Sequence, residues 1–217
     1  MAAHTITVGP PALDEIDEQV IKLFAMVMGG LSAATDAFLD GDREAARVLV
    51  ADDQAIDSMQ SSIEELVERE LSRSPDRGGA DLRRLVSVLR IVPELERSGD
   101  LVEHIALRTP QGLACVISAK ARGMVEAMGR IGVEMWRVAA DAYADRDPTA
   151  VERLRLLDDE LDDLHVSLSS ELAHGHNSNA VAIEMGLVAR FYERLGDHAV
   201  NVTKRLRGLV PPPVEAE

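Results

Sequence analysis

A charged, glycine-containing segment occurs twice in this chain: ERSGD at Glu96–Asp100 and ERLGD at Glu193–Asp197. A second acidic pattern is also doubled, as DDQAID at Asp52–Asp57 and LDDELD at Leu157–Asp162. Each acidic pattern follows the start of its helical stretch by a similar interval, and each half carries one ER-x-GD segment further on, so the unit of repetition is a large part of the chain, not a short motif. A sequence made of two like halves folds as two like units, or as one body with internal symmetry. Breakers at LDGD (Leu39–Asp42), SPDRGGAD, TPQG (Thr109–Gly112), DRDP (Asp145–Pro148) and HGHNSN divide the chain into six long stretches with helical periodicity. These predict helices over about 13–40, 42–72, 80–108, 113–146, 147–174 and 179–207, grouped three and three. The expected fold is all-α, with two tandem three-helix bundles related by internal duplication and antiparallel within each bundle. Residues 13–110 and 111–208 form the two repeats, and 1–12 and 209–217 read as frayed, proline-bearing tails.

Composition supports helices and narrows the partners. Among 217 residues, 46% are apolar but only 3% aromatic, a Leu-, Ala-, Val- and Met-rich balance that favours helix over sheet. The net charge of −15 excludes a phosphate-neutralising nucleic-acid surface and disfavours adhesion to anionic lipid. A single cysteine, Cys115, forbids an intrachain disulfide and fits a reducing compartment. No apolar run is read as long enough to span a bilayer, and no secretory leader is evident, so a soluble, cytoplasmic protein is expected.

On a helical wheel of the third helix, Leu82, Val86, Leu89 and Pro93 form one stripe, which Glu96 and Asp100 continue. A second stripe, Ile91, Leu95, Val102 and Ile105, makes the helix apolar around much of its circumference, so both acids are expected to face a neighbour. Asp53 and Asp57 border the stripe of Leu49, Ile56, Ile63 and Val67 in the second helix. Asp158 and Asp162 stand equivalently in the fifth, with His165 three residues beyond. Gly99 and Gly196 each cost roughly 1 kcal/mol relative to alanine in a helix, a cost that makes sense where a ligand or helix approaches closely.

Carboxylates sharing one seam repel and lose hydration, and must take protons, find basic partners or bind cations. Arg97 and Arg194 are the basic candidates within the motifs. Hard, oxygen-rich sites suit Mg²⁺, Ca²⁺, Mn²⁺ or iron. One acid pair four residues apart is ordinarily a solvated helix face. Four pairs in two matching sets, aligned with apolar stripes and glycine, are a stronger signal. His104, His165 and His198 read as packing or surface residues, and Met26, Met28, Met124 and Met128 as core filler. Pro93, which has Arg190 as its counterpart, predicts a local kink.

These features together resemble the PhoU family of phosphate-uptake regulators, over about Leu13 to Arg207. The resemblance is carried by the duplicated three-helix unit, the DxxID-like segments, the ER-x-GD segments and the HAVNVTKRL that follows from His198. It implies a regulator, not an enzyme, acting beside the phosphate ABC transporter and a sensor histidine kinase to restrain the phosphate-starvation response; a homodimer is expected. It also implies paired metal clusters, often iron, zinc, manganese or magnesium. By motif match, Asp53, Asp57, Glu96 and Asp100 form one, and Asp158, Asp162, Glu193 and Asp197 the other. His104 stands where the second copy has Asn201, and the DLR of Asp81–Arg83 has no twin, so the two sites are expected to differ. Two alternatives stay open. One is a carboxylate-bridged di-iron bundle, for which Glu171-x-x-His174 is a single, helix-end match to a motif that should occur twice. The other is a metal-free helical interaction module. No nucleophilic triad, phosphate loop or paired zinc-cysteine motif points to catalysis.

Overall fold

The computed structural model describes residues 11–73, 78–175 and 177–206. Six helices account for nearly all of them: α1 (Pro11–Asp40), α2 (Arg43–Arg73), α3 (Gly79–Ala106), α4 (Ala119–Asp145), α5 (Ala150–His174) and α6 (Asn179–Leu206). Among the described residues there is no strand.

The helix ends follow local chemistry. Asp42 accepts the Glu44 and Ala45 amides at 3.0 Å and so starts α2. The carboxylate of Asp147 accepts the Thr149 amide at 2.8 Å ahead of α5. Ser118 accepts the Ala121 amide at 3.0 Å, which starts α4 at Ala119 and not at 113. The intervening chain instead makes two 3₁₀ turns, Thr109–Gln111 and Leu113–Cys115, joined through Gly112 at φ 66°. The boundary expected at 110/111 falls in this connector. At the N-terminal end α1 begins at Pro11, inside the expected tail, while the tail at 209–217 lies outside the described residues. Helix α3 continues from Gly79 to Ala106 with Pro93 inside it.

Helices α1, α2 and α3 pack on one another, as do α4, α5 and α6; α1 against α4 and α3 against α6 join the two sets. The halves therefore share one core. Phe24 of α1 packs against Trp136 and Tyr143 of α4, with ring centroids 6.1 Å and 5.6 Å apart. Thr35 donates to the Leu31 carbonyl at 2.8 Å and accepts the Tyr192 hydroxyl at 2.8 Å, which ties α1 to α6. At one end Asp17 of α1 receives the Arg84 guanidinium from α3 and, at 2.7 Å, the Tyr143 hydroxyl from α4.

Two expectations need correction. Helix α1 is long and apolar enough, by length and composition, to cross a membrane. In the fold it is a core helix packed on three others, and Leu13, Val20, Phe24, Val27 and Leu31 are fully buried. A helix covered on three sides needs an apolar surface most of the way round, which produces the same hydropathy as a membrane span. In α3 the buried face is Leu85, Val88, Ile91, Val92 and Leu95, whereas Leu82 is 47% and Val86 36% exposed. The stripe that leads to Glu96 and Asp100 is thus the outer flank of the helix.

The crossing of α1 and α4 is set by a missing side chain. A Cβ at Gly129 would lie 2.5 Å from Thr35 Cγ2 and 2.6 Å from Thr35 Oγ1. Thr35 is held by both of its hydrogen bonds and cannot retreat freely. Gly129→Ala is expected to lower the unfolding free energy by about 1–3 kcal/mol despite its better helix propensity. A Cβ at Gly123, on the same helix, would meet nothing within 4 Å. Gly123→Ala is therefore expected to raise stability by up to about 1 kcal/mol. Urea unfolding of both variants checks the pair, and equal effects would show that close packing at Gly129 does not matter.

Candidate metal centres

The second and third helices of each repeat bring the acidic motifs face to face. In the first repeat, Asp53 of α2 and Glu96 and Asp100 of α3 are half-buried, and Asp57 is exposed. Burial, then the charges of Glu103, Asp100 and Asp57, raise the Asp53 carboxyl from 3.8 to about 6. Glu96 is raised too, first by burial and then by Asp100 and Asp57. In the second repeat, Asp158 of α5 rises from 3.8 to about 6 through burial and the charges of Asp162 and Asp197. Burial raises Glu193 of α6, opposed by the nearby Arg190 and reinforced by Asp197 and Asp162. All eight sequence-derived acids thus fall into two mutually repelling groups, one per repeat.

Glycine allows the helices to come this close. A Cβ at Gly99 would lie 2.8 Å from Ile56 Cδ1 and 3.4 Å from Asp53 Oδ1. At Gly196 it would lie 2.7 Å from Leu161 Cδ2 and 3.1 Å from Asp158 Oδ1. Each glycine of the ER-x-GD segment lies directly beneath the facing aspartate. What approaches is the neighbouring helix.

The groups differ in their surroundings. Glu103, one turn beyond Asp100, adds a carboxylate to the first, where the second has Val200. The progression Glu96, Asp100, Glu103 by four and three was the sequence signal for it. In the second group the counter-charge is Arg190, hydrogen-bonded to Glu193 Oε1, and not Arg194. Arg97 lies 3.6 Å from Glu94, and its charge also opposes the rise of Glu96. Glu193 Oε2 is buried with no hydrogen-bond partner among the described residues. His198 is buried and lies 3.0 Å from Ser98 Oγ across α3 and α6. His104 stacks on Phe191, centroids 5.4 Å apart. The Glu171-x-x-His174 pair is divided between other partners: Glu171 takes Lys120 and Ser118, each at 2.9 Å, and His174 bonds the Ser170 carbonyl.

An all-oxygen donor set in which Asp53, Glu96, Asp158 and Glu193 are raised, with an orphaned buried carboxylate oxygen, fits a hard cation by its chemistry. Among the described residues, no three His, Cys, Asp or Glu side chains close around a single point as they stand. The seams present ligands from two helices each, and a full coordination sphere needs their side chains to turn inward.

A family model described as PhoU domain matches twice, over residues 20–109 and 125–206. The chain belongs to the PhoU family. Each PhoU match contains one complete carboxylate group. Among curated relatives, the phosphate-specific transport system accessory protein PhoU homolog 2 of Mycobacterium tuberculosis is 31% identical over 203 residues, covering 89% of this chain and 92% of that protein. PhoU homolog 1 of Mycobacterium leprae is likewise 31% identical, covering 89% and 88%. The crystal structure of PhoU from Pseudomonas aeruginosa superposes with a TM-score of 0.84 at 25% identity, covering 91% of this chain and 96% of that one. The phosphate transport system regulatory protein PhoU from Streptococcus pneumoniae has the same fold, with a TM-score of 0.82.

The raised carboxyls give a signed pH effect. A folded-state pKa above the unfolded value means that the native form holds its proton longer, so these groups favour folding at low pH. That contribution is lost as pH rises from about 4 through 6. Chelator-treated protein should therefore melt at a lower temperature at pH 7.5 than at pH 5.5 on account of these groups. The double substitution Asp53→Asn, Asp158→Asn should raise the melting temperature at pH 7.5 and flatten this dependence. A lower melting temperature for that variant at pH 7.5 would mean that the two charges are stabilised, not strained.

Proposed function

We propose that this protein is a cytoplasmic regulator of phosphate uptake and phosphate-starvation signalling. It couples the phosphate ABC transporter to a sensor histidine kinase as a negative regulator, and its carboxylate groups bind metal. The observation that supports this is the pair of equivalent acidic seams, one inside each PhoU match, together with relatives named as phosphate-specific transport system accessory proteins. Asp53, Asp57, Glu96 and Asp100 would hold one cation or cluster, and Asp158, Asp162, Glu193 and Asp197 the other. Iron, zinc, manganese and magnesium are the candidates. A bound cation would neutralise the repulsion and tie α2 to α3 and α5 to α6. The chain's own residues then act by presenting surface, since nothing in either seam resembles a nucleophile with its base.

Because each repeat has its own ligand set, replacing Asp53, Asp57 and Asp100 with Asn and Glu96 with Gln should lower bound metal by about half. Elemental analysis of the purified variant reads this out. Unchanged content would remove these residues as ligands, and complete loss would show that the two sites bind as one.

The second reading, a metal-free helical interaction module, draws on the lack of three converging ligand side chains. Elemental analysis of the unaltered protein separates it from the first.

For the regulatory role, deletion of the gene should leave phosphate-starvation genes expressed in phosphate-rich medium. Transcript levels that stay repressed in the deletion, and in a double deletion with any second homologue, would end this reading.

A further inference from the structure

The two repeats differ in what lines the groove between their first three helices. A cavity of about 440 Å³ lies between α1, α2 and α3 in the first repeat. Its floor is apolar, formed by Met26, Ile56 and Val102, and its α1 wall is Ala25, Gly29 and Gly30. Asp52, Asp53 and Glu103 stand along its edge. These three carboxylates form no ion pair or hydrogen bond with the described residues. At Gly29 a Cβ would meet nothing within 4 Å, so the groove is open there.

Aligning TDAF (Thr35–Phe38) with ADAY (Ala140–Tyr143) gives the register of the duplication, the same one that sets Asp53 against Asp158 and starts the two family matches at 20 and 125. In that register Gly30 corresponds to Met135, whose Cε lies 3.3 Å from the position of a Cβ on Gly196. The second repeat thus sets a methionine beside its glycine, where in the first the cavity is lined by Gly30 and Gly99, with Val102 Cγ1 3.2 Å from the position of a Cβ on Gly30. Gly29 corresponds to Glu134 and Val48 to Arg153, and Arg153 bridges to Glu134 at 2.5 Å across α4 and α5. Where the second repeat supplies its own cation across the groove, the first has neither member of the bridge. It has small residues, an apolar floor, acids without partners, and Val48, which is 48% exposed.

We propose that this groove is the docking site for a basic amphipathic helix of a partner protein, with a Lys or Arg side chain entering the cavity. Small residues on α1 let a helix backbone approach closely. The aliphatic stem of the entering side chain covers Ile56 and Val102, and its charged head meets Asp52 and Glu103 at the edge. The net charge of −15 draws such a segment toward the protein, and the groove selects where it settles. The inference deepens the adaptor reading above by naming the chemistry of the contact, and it rests on that reading only for the identity of the partner.

The test uses the full chain and a synthetic Leu–Lys amphipathic peptide of about 18 residues, which forms about five helical turns. Its Leu–Glu analogue serves as the control, and fluorescence anisotropy is read at about 0.15 M salt, where distant charges are screened. The Leu–Lys peptide is expected to bind saturably and the Leu–Glu peptide not. Gly29→Glu with Val48→Arg rebuilds the Glu134–Arg153 bridge across the first groove, at two positions where added side chains reach solvent. It should weaken peptide binding at least tenfold. Asp52→Asn with Glu103→Gln should weaken it without changing the helical circular dichroism spectrum. Equal affinity for the unaltered and bridge-rebuilt proteins would assign binding to general negative charge and overturn the proposal. Self-association that the rebuilt bridge abolishes, without any peptide binding, would give the groove to a second copy of this chain and overturn it too. Loss of repression on gene deletion together with equal peptide affinity for the unaltered and bridge-rebuilt proteins would leave the adaptor reading standing while removing this contact from it.

Discussion

The distance between α2 and α3, and between α5 and α6, is the constraint on which the carboxylate seams depend. It is fixed by Gly99 and Gly196. Each lies under a large aliphatic side chain of the facing helix, Ile56 or Leu161, and beside an aspartate oxygen. With a methyl group at either position the facing side chain must shift or the helices must separate, and the acids on both sides would move apart into water. The glycine cost of roughly 1 kcal/mol per helix is thus coupled to a second cost, carboxylates whose pKa is raised first by burial and then by one another's charge. Both oppose folding, and both are offset by the apolar core beneath.

Duplication supplied both seams, and divergence then changed what surrounds them. In the second repeat Arg190 binds Glu193 of the seam, Arg153 binds Glu134 on the neighbouring α4, and Met135 lies beside Gly196. The first repeat differs, with Glu103 and Asp52 where the second has Val200 and Leu157, and the small residues Ala25, Gly29, Gly30 and Ala55 where it has Arg130, Glu134, Met135 and Glu160. One half carries a basic partner for part of its acidic group. The other is open and carries unanswered charge. Equivalent motifs therefore need not have equivalent uses.

The six helices and the grouping of the eight acids were legible because they rest on periodicity, which needs no knowledge of the partner helix. What was misread depended on tertiary placement. The start of α4 moved to Ala119 because Ser118 caps it and Gly112 turns the chain, local chemistry that an apolar pattern beginning at Leu113 concealed. Leu82 and Val86 looked like core because leucine and valine carry no mark of which side of a helix is covered. The hydropathy of α1 was underestimated by searching for an uninterrupted apolar run, although a central helix reaches the same average with a few scattered polar residues. Arg190 was missed as a counter-charge because it lies outside the repeated segment, at the place where the other copy has Pro93.

The contact between α3 and α6 makes the two seams parts of one object. Glu94 is 4% exposed, which would be costly for a carboxylate without partners. It is met by Arg205 at 2.5 Å, and Arg205 also bonds the Arg90 carbonyl on the same stretch of α3. One turn on, Ser98 donates to the Glu94 carbonyl at 2.6 Å and lies against His198. Ser98 stands between Glu96 and Asp100, and His198 follows Asp197. A sliding of α3 along α6 would strip a buried carboxylate of its partner and break the Ser98–His198 contact together, so the register of the two helices is held by polar contacts that tolerate little displacement. Any change that turns the acids of one helix inward must either leave this register intact or carry the other helix with it. The fold thus permits local adjustment of side chains in each seam while opposing independent movement of the helices that carry them.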